Sequence, residues 1–367
     1  MKILVASSYK HAWNSVRPEA EMFIEMVKQG HDVTIATQGD ADYVARFRDC
    51  GVNVIDCYPS KKICLKTIKT LHHELKSGDY DICYGFNSKT IPNLAFASIG
   101  TRAQMVSYRG TTGGLYRHDP TAYLTHLHPK VQGIVCVSNA VRDDVREHVW
   151  HNKKHVVTIY KGHQLAWYQV PQTERAEFGL NETHIVAVCA AHVRPSKGIS
   201  VLIEATHHID NPNFHLLLVG SGFEPHLDEI KQSPMVARIH LLGHRQDVPS
   251  LMAMADFQVQ PSISGEGLPR TVIEAMANGT TSVVTTTGGS PELVDDNKTG
   301  FVVPTGDAKA FSEAMNKLIN DKDKIIQFST AAKEKLDREF NAAMTVKHHL
   351  EFFEQLLNKQ CSGKDIR

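Results

Sequence analysis

Short apolar runs alternate with helical periodicities along most of this chain, and that alternation leaves few folds open. Residues 2–6 (KILVA) form an apolar run. Residues 18–29 then place Ala20, Met22, Phe23, Met26 and Val27 at helical spacing, and Gly30 stops the helix. Residues 32–37 (DVTIAT) are a second apolar run, 41–50 a helix, and 52–56, 81–84, 104–108 and 133–137 further strands. Ser138 is placed to cap a helix that runs through Val149, and 156–160 closes the series. Strands separated by helices have to lie parallel, with helices over both faces of the sheet. The rhythm restarts at 185–191 and continues through 215–219, 239–242 and 257–260, with helices expected at 199–208, 248–255 and 308–319. A chain of 367 residues is long enough for two such domains. We place them at residues 1–164 and 165–339, crossing near Lys161-Gly162-His163. Helical periodicity covers residues 322–358 almost without interruption.

The most informative stretch is residues 261–307. A Ser- and Gly-rich loop leads into Glu266-Gly267-Leu268-Pro269, and a helix carrying Val272, Ile273, Ala275, Met276 and Ala277 follows. Pro269 fits the first helical position, where its missing N–H costs nothing, and Gly279 suits the helix end. The first N–H groups of that helix, on Arg270, Thr271 and Val272, lack helical partners and sit at the positive end of the helix dipole. Phosphate is the usual guest there. Glu266 and Glu274 bracket the position. Two carboxylates repel a phosphate, so they suit neutral hydroxyl donors. A polyol joined to a phosphate, as in a sugar nucleotide, satisfies both halves.

The run EGLPRTVIEAMANG, with seven residues between Glu266 and Glu274, resembles the E-x7-E motif of the retaining glycosyltransferases of family 4. GGSPELV, GFVVPTGD and VSNAVRDDV resemble neighbouring segments of that family. The resemblance spans nearly the whole chain, is strongest over 185–307 and is weakest in the first 130 residues. It implies the GT-B architecture: α/β, with two Rossmann-like doubly wound domains facing a central cleft. The last helix, about 340–367, is then expected to pack back on the first domain.

By resemblance the donor is a nucleotide-diphosphate sugar, UDP- or GDP-linked, held on the second domain. Glu274 is expected on the ribose hydroxyls and Glu266 on the sugar hydroxyls, helped by the N–H groups of Gly267 and Leu268 ahead of Pro269 and Arg270. Arg194 and Lys197 are expected on the diphosphate, although the commonest family spacing puts the arginine where His192 stands. The loop with His244 and Arg245 is expected to meet the base. In the first domain the family often uses a histidine near the reacting centre. Arg109 occupies its usual position, leaving His118 as a substitute. Where many members carry a Gly-Gly pair, this chain reads Asn14-Ser15-Val16-Arg17-Pro18-Glu19, with Arg17 as the replacement. The expected reaction is hexosyl transfer, with retention and without a metal or other cofactor, to a glycan or lipid-linked saccharide in cell-surface polysaccharide or lipopolysaccharide synthesis. Alternatives are a sugar-nucleotide epimerase of the same architecture and a non-catalytic nucleotide-sugar-binding protein.

Other classes receive little support. Gly220-Ser221-Gly222 is no dinucleotide fingerprint, because the third glycine would fall at Pro225. The 21 histidines fall as scattered pairs without a zinc spacing. Asp79-Tyr80-Asp81 looks like a D-x-D metal motif but sits at a strand start after Ser77-Gly78, as a turn would. Seven cysteines without a C-x-x-C pair suit a reducing cytosol. MKILVASS reads as a core strand rather than a signal peptide, and no apolar run approaches the ~20 residues of a membrane span. No nucleic-acid partner is expected. Residues 1–165 hold 21 Lys and Arg against 15 Asp and Glu, so the first half is basic. Lys61, Lys62, Lys66, Lys69 and Lys76 lie on one amphipathic segment, 60–77. A cytoplasmic enzyme touching the inner face of the plasma membrane through that segment fits this pattern.

Overall fold

The structure is a computed structural model and describes residues 1–10, 16–150 and 152–362. It divides into two compact units, Met1–Gly162 together with the segment that begins at Phe340, and His163–Glu339.

The first unit runs β1 (Lys2–Ala6), α1 (Arg17–Lys28), β2 (Asp32–Thr37), α2 (Val44–Asp49), β3 (Asn53–Asp56) and α3 (Leu65–Gly78). It continues with β4 (Ile82–Gly85), α4 (Thr90–Ala97), β5 (Gln104–Arg109), β6 (Val131–Cys136), α5 (Asn139–His148) and β7 (Val156–Thr158). Its seven strands are all parallel, in the order β3-β2-β1-β4-β5-β6-β7. Ile3, Leu4 and Val5 are fully buried, as a strand covered on both faces requires. Ser138 accepts the Val141 N–H at 3.3 Å and so starts α5.

The second unit runs β8 (Ile185–His192), α6 (Ile199–Thr206), β9 (Phe214–Ser221), α7 (Leu227–Gln232), β10 (Ile239–Gly243), α8 (Val248–Met254) and β11 (Phe257–Gln260). Then come α9 (Arg270–Ala277), β12 (Thr281–Thr285), α10 (Ser290–Leu293), β13 (Gly300–Val303), α11 (Ala308–Ile319) and α12 (Lys322–Glu339). Its six parallel strands are ordered β10-β9-β8-β11-β12-β13. The order reverses beside β8, and an open α/β sheet leaves a crevice at that point, outside the carboxyl ends of the strands.

The long periodicity of 322–358 is two helices. The chain breaks at Phe340-Asn341, and α13 (Ala342–Ser362) belongs to the first unit. There Phe352 and Leu356 lie over Gly133, where a Cβ would stand 2.7 Å from the Phe352 ring. Phe353 packs edge-on to Tyr84 at 5.7 Å, and the Thr345 hydroxyl donates to the Tyr160 carbonyl at 2.7 Å. Periodicity missed α4 because nearly all its residues are buried, so no polar face marks it, and Pro92 lies in its first turn. Asp79 ends α3 at a φ of +55°, and Arg102 pairs with both Asp79 (2.6 Å) and Asp81 (2.8 Å), so this D-x-D is a braced turn. Among the described residues no helix is long and apolar enough to cross a membrane. None of their His, Cys, Asp and Glu side chains form a metal-holding group of three.

Candidate active site

A pocket of about 340 Å³ opens at the carboxyl ends of β8 and β9, between the β10–α8 loop and the start of α9. Ala190, His192, Gly220 and Ser221 form its strand side, His244 and Arg245 its loop side, and Arg270, Thr271 and Glu274 its helix side. Gly220 has a φ of +131°, and a Cβ there would overlap the Ala191 carbonyl. Only glycine lets β9 pass β8 this closely at the pocket wall. Gly220→Ala is expected to lower the melting temperature and weaken any ligand of this pocket together, measured by calorimetry with and without nucleotide.

Glu274 is the unusual group. It is the one carboxylate in the buried run Val272–Ala277, held there because Val272, Ile273, Ala275 and Met276 commit the helix to the core. Its side chain is 2% exposed. Oε1 meets the Arg270 guanidinium at 3.2 Å, one helical turn back, and Oε2 is buried with no partner. Burial pushes its acid up to about 7, and the Arg270 charge pulls it back only in part. A buried acceptor of this kind, lining a pocket, suits a ligand that brings a hydrogen-bond donor.

Glu266 is held differently. Its Oε1 accepts from Lys197 Nζ at 2.5 Å, Ser262 Oγ at 2.6 Å and Gln260 Nε2 at 3.1 Å. Gln260 also accepts from Thr271 Oγ1 at 2.8 Å. A continuous chain of hydrogen bonds therefore runs from the Lys197–Glu266 pair to the first turn of α9. Gly267, Leu268 and Pro269 bridge the same two points along the backbone, with Pro269 as the N-cap residue at a φ of −66°.

Most of the residues singled out in the sequence converge here. Glu274, Arg270, His244 and Arg245 share the pocket, and Glu266 pairs with Lys197. Arg194 does not join them: it is exposed on the turn before Lys197, whereas His192 lines the pocket and contacts the Ser221 hydroxyl at 2.9 Å. A strand end points its last residue into the crevice, and the turn carries the next ones away. Arg245 is engaged bidentately by Asp247 (2.8 and 2.6 Å) and by Glu177 at 2.6 Å. Its charge therefore braces the loop. Sequence reasoning passed over Gln260, Ser262 and the hydroxyl of Thr271. The signal was available, since Gln258 and Gln260 alternate with Phe257 and Val259 in a strand that is buried throughout.

The first unit has its own pocket of about 330 Å³ at the ends of β4 and β5, lined by Lys62, Asn87, Arg109, Gly110, Asp119 and His126 among others. Arg109 turns back on its own loop, donating through Nε to the Thr111 carbonyl at 3.0 Å and through Nη2 to Gly113. Burial lowers its pKa, although the Asp144 carboxylate opposes the shift. His118 is exposed, stacks on Tyr116 at 5.3 Å and lies outside the pocket lining. The histidine that does line it is His126, bonded to the Ser107 hydroxyl at 2.9 Å and held neutral, its pKa lowered to about 3 by burial and then by Arg109. Arg17 opens α1. Asn14 and Ser15 of the first loop lie outside the described residues.

Residues 171–335 match the family "Glycosyl transferases group 1", and residues 20–167 match "Glycosyltransferase Family 4". The chain belongs to the group 1, family 4 glycosyltransferases. It is an enzyme of the hexosyltransferase type, and its two parallel sheets are those of the GT-B fold. It is 25% identical to the N-acetyl-alpha-D-glucosaminyl L-malate synthase of Bacillus anthracis over 94% of each chain. It is 28% identical to the amylovoran biosynthesis glycosyltransferase AmsK of Erwinia amylovora over 45% of this chain and 44% of that one. Among solved structures it resembles HepE of Anabaena in complex with UDP, with a TM-score of 0.76 at 19% identity over 97% of this chain and 100% of HepE. HepE has also been solved with UDP-glucose (TM-score 0.72, 20% identity, 99% of this chain and 100% of that chain).

Proposed function

We propose that this glycosyltransferase takes its sugar from a nucleoside-diphosphate sugar bound in the pocket of the second unit. It transfers that sugar with retention to a saccharide or lipid-linked acceptor. The observation that carries the reading is Glu274, a buried carboxylate whose second oxygen has no partner and which lines a pocket at the start of a helix. Ribose hydroxyls supply the missing donors, and the N–H groups at the start of α9 receive a phosphate. Lys197 balances charge on the diphosphate as the bond to the sugar breaks, and Glu266 holds sugar hydroxyls close by. The leaving phosphate receives the proton of the incoming hydroxyl on the same face, so no protein nucleophile is required. UDP and UDP-glucose in the HepE structures, and a polysaccharide-synthesis relative in AmsK, support the same reading.

A melting-temperature panel of UDP- and GDP-sugars without added metal tests it. A donor at 100 times its Kd is expected to stabilise the protein by about 2.7 kcal/mol. If none of them shifts the melt, the reading fails.

We place the reaction at the cytoplasmic face of a membrane, with α3 as the contact. Lys66 and Lys69 are exposed on it, and Ile63 and Leu65 beside them are 43% and 72% exposed. Replacing Lys61, Lys62, Lys66 and Lys69 by Gln is expected to reduce binding to anionic vesicles at least tenfold. Unchanged vesicle binding would remove the proposal.

A further inference from the structure

Gln260 is a costly residue for its place. It lies buried on β11, between β8 and β12, and Gln258 two residues earlier is buried as well. An amide in such a position costs free energy unless it is bonded, and Phe257 and Val259 are the apolar residues that the same strand takes otherwise. The bonds of the two amides run in one direction. Gln258 donates through Nε2 to the Val259 carbonyl at 3.0 Å, and a carbonyl only accepts. The Gln260 atom that meets the same Nε2 at 3.3 Å is therefore its oxygen, Oε1. At the other end of that amide the Glu266 carboxylate also only accepts, so the Gln260 group 3.1 Å from it is the NH2. With both ends set, Thr271 has to donate to Gln260 at 2.8 Å. Ser262 has to accept from Gln260 at 2.9 Å and donate to Glu266 at 2.6 Å. Every proton of the chain points from the first turn of α9 toward one oxygen of Glu266, the oxygen that Lys197 also holds.

We infer that Gln260 is a positioning residue for this enzyme's donor: its amide fixes the direction of Glu266 and ties that carboxylate to the helix start beside the pocket. Thr271 lines the pocket and Gln260 does not, so Gln260 acts through its two neighbours. An amide is the one group that does this. It accepts from Thr271 on one side and donates to a carboxylate on the other, and it brings no charge of its own into the core. A carboxylate held in one direction before the donor arrives loses less freedom when it takes a sugar hydroxyl. The role rests on the donor reading proposed above, with Glu266 on the sugar and α9 at the phosphate.

Calorimetric titration of the full chain tests this, with the UDP- or GDP-sugar that shifts the melt and with the matching nucleoside diphosphate, which has no sugar for Glu266 to hold. Gln260→Leu is expected to weaken the sugar nucleotide about tenfold and to leave the plain nucleotide within about twofold of wild type. In a Glu266→Gln background the same substitution is expected to cost nothing further, because Gln260 acts through that carboxylate. Gln260→Glu adds a pH readout. Protonated, the new acid keeps a carbonyl for Thr271 and an O–H for Glu266. Ionised, it sets two carboxylates together, with Lys197 as the cation they share and Arg270 engaged by Glu274. Its affinity for the sugar nucleotide, divided by that of wild type at the same pH, is expected to rise about tenfold from pH 8 to pH 6, and the division removes the titration of Glu274. The proposal is overturned, and the donor reading stands, if Gln260→Leu weakens both ligands alike or neither, or if its loss adds in full to that of Glu266→Gln. Should Gln260→Leu not fold, Gln260→Glu decides, and a ratio that is flat with pH overturns the proposal. If wild type binds no sugar nucleotide, the donor reading falls and takes this role with it.

Discussion

Glu274→Gln is expected to produce a protein that is more stable and binds its donor badly. Burial raises the acid from 4.5 to about 7, so the folded state holds the proton more tightly than the unfolded chain. Stability from this group is fully present below pH 4.5, falls as pH rises through the window to about 7, and is constant above it. At pH 8 the buried charge costs at most about 3 kcal/mol, which an uncharged amide of the same shape avoids. The variant should therefore melt higher than wild type at pH 8 and alike at pH 4. Donor affinity should fall about tenfold to a hundredfold, the worth of a hydrogen bond to a charged acceptor. Wild-type binding carries a linked sign. Hydroxyl donors favour the carboxylate, so binding below pH 7 releases a proton, and affinity drops about tenfold per pH unit there. Titrations in buffers of different ionisation enthalpy read that proton directly. Equal affinity at pH 6 and 8, or a variant with normal affinity, would take Glu274 out of the site.

Lys197→Ala is expected to lower kcat by about a hundredfold to a thousandfold, the cost of removing one group that stabilises developing charge. Lys197 Nζ stands 2.5 Å from Glu266, and Gly198 behind it holds a φ of +64°, so the turn delivers the ammonium to a fixed point. The substitution also strips the buried Glu266 of its cation, leaving it the Ser262 and Gln260 donors. A loss of stability of a few kcal/mol should accompany the loss of rate. Lys197→Arg separates the two effects: it restores the charge and the fold but not the reach of a point ammonium, so stability returns further than kcat. Single-turnover rates with UDP-glucose, or with whichever donor shifts the melt, measure the first effect and thermal unfolding the second. A Lys197→Ala enzyme with normal turnover would show that the cation serves only Glu266.

The fold was largely legible because parallel strands buried on both faces write themselves as unbroken apolar runs, KILVA and IVAVCAA among them. Glu274 was legible through its spacing from Glu266 and its place beside a helix start. What the spacing could not show was that the two carboxylates live differently, one taking three donors on a single oxygen and the other with an oxygen unpartnered. That difference comes from Gln260 and Ser262, which reach Glu266 from a strand and a loop. Arg194 and His118 lie outside the two pocket linings for one reason. Both lie in turns, where direction changes with every residue, so closeness in sequence to a site says little about where a side chain points. His192 and His126 face their pockets from a strand end and from a short turn packed against β5, and nothing in composition separates them from the other histidines.

The discontinuity of the first unit carries a consequence for how the protein is made. Its sheet is finished once β7 leaves the ribosome, yet the helix that covers Gly133 and Tyr84 is encoded only after the whole of His163–Glu339. At ordinary elongation rates that interval lasts roughly ten to thirty seconds. Through it, the socket for Phe352, Phe353 and Leu356 waits open, an apolar surface on an otherwise folded body, while the second unit folds at its own pace. A nascent chain stalled in that interval is a natural client for chaperones, and any lesion in α13 leaves every new molecule in the same exposed condition after release.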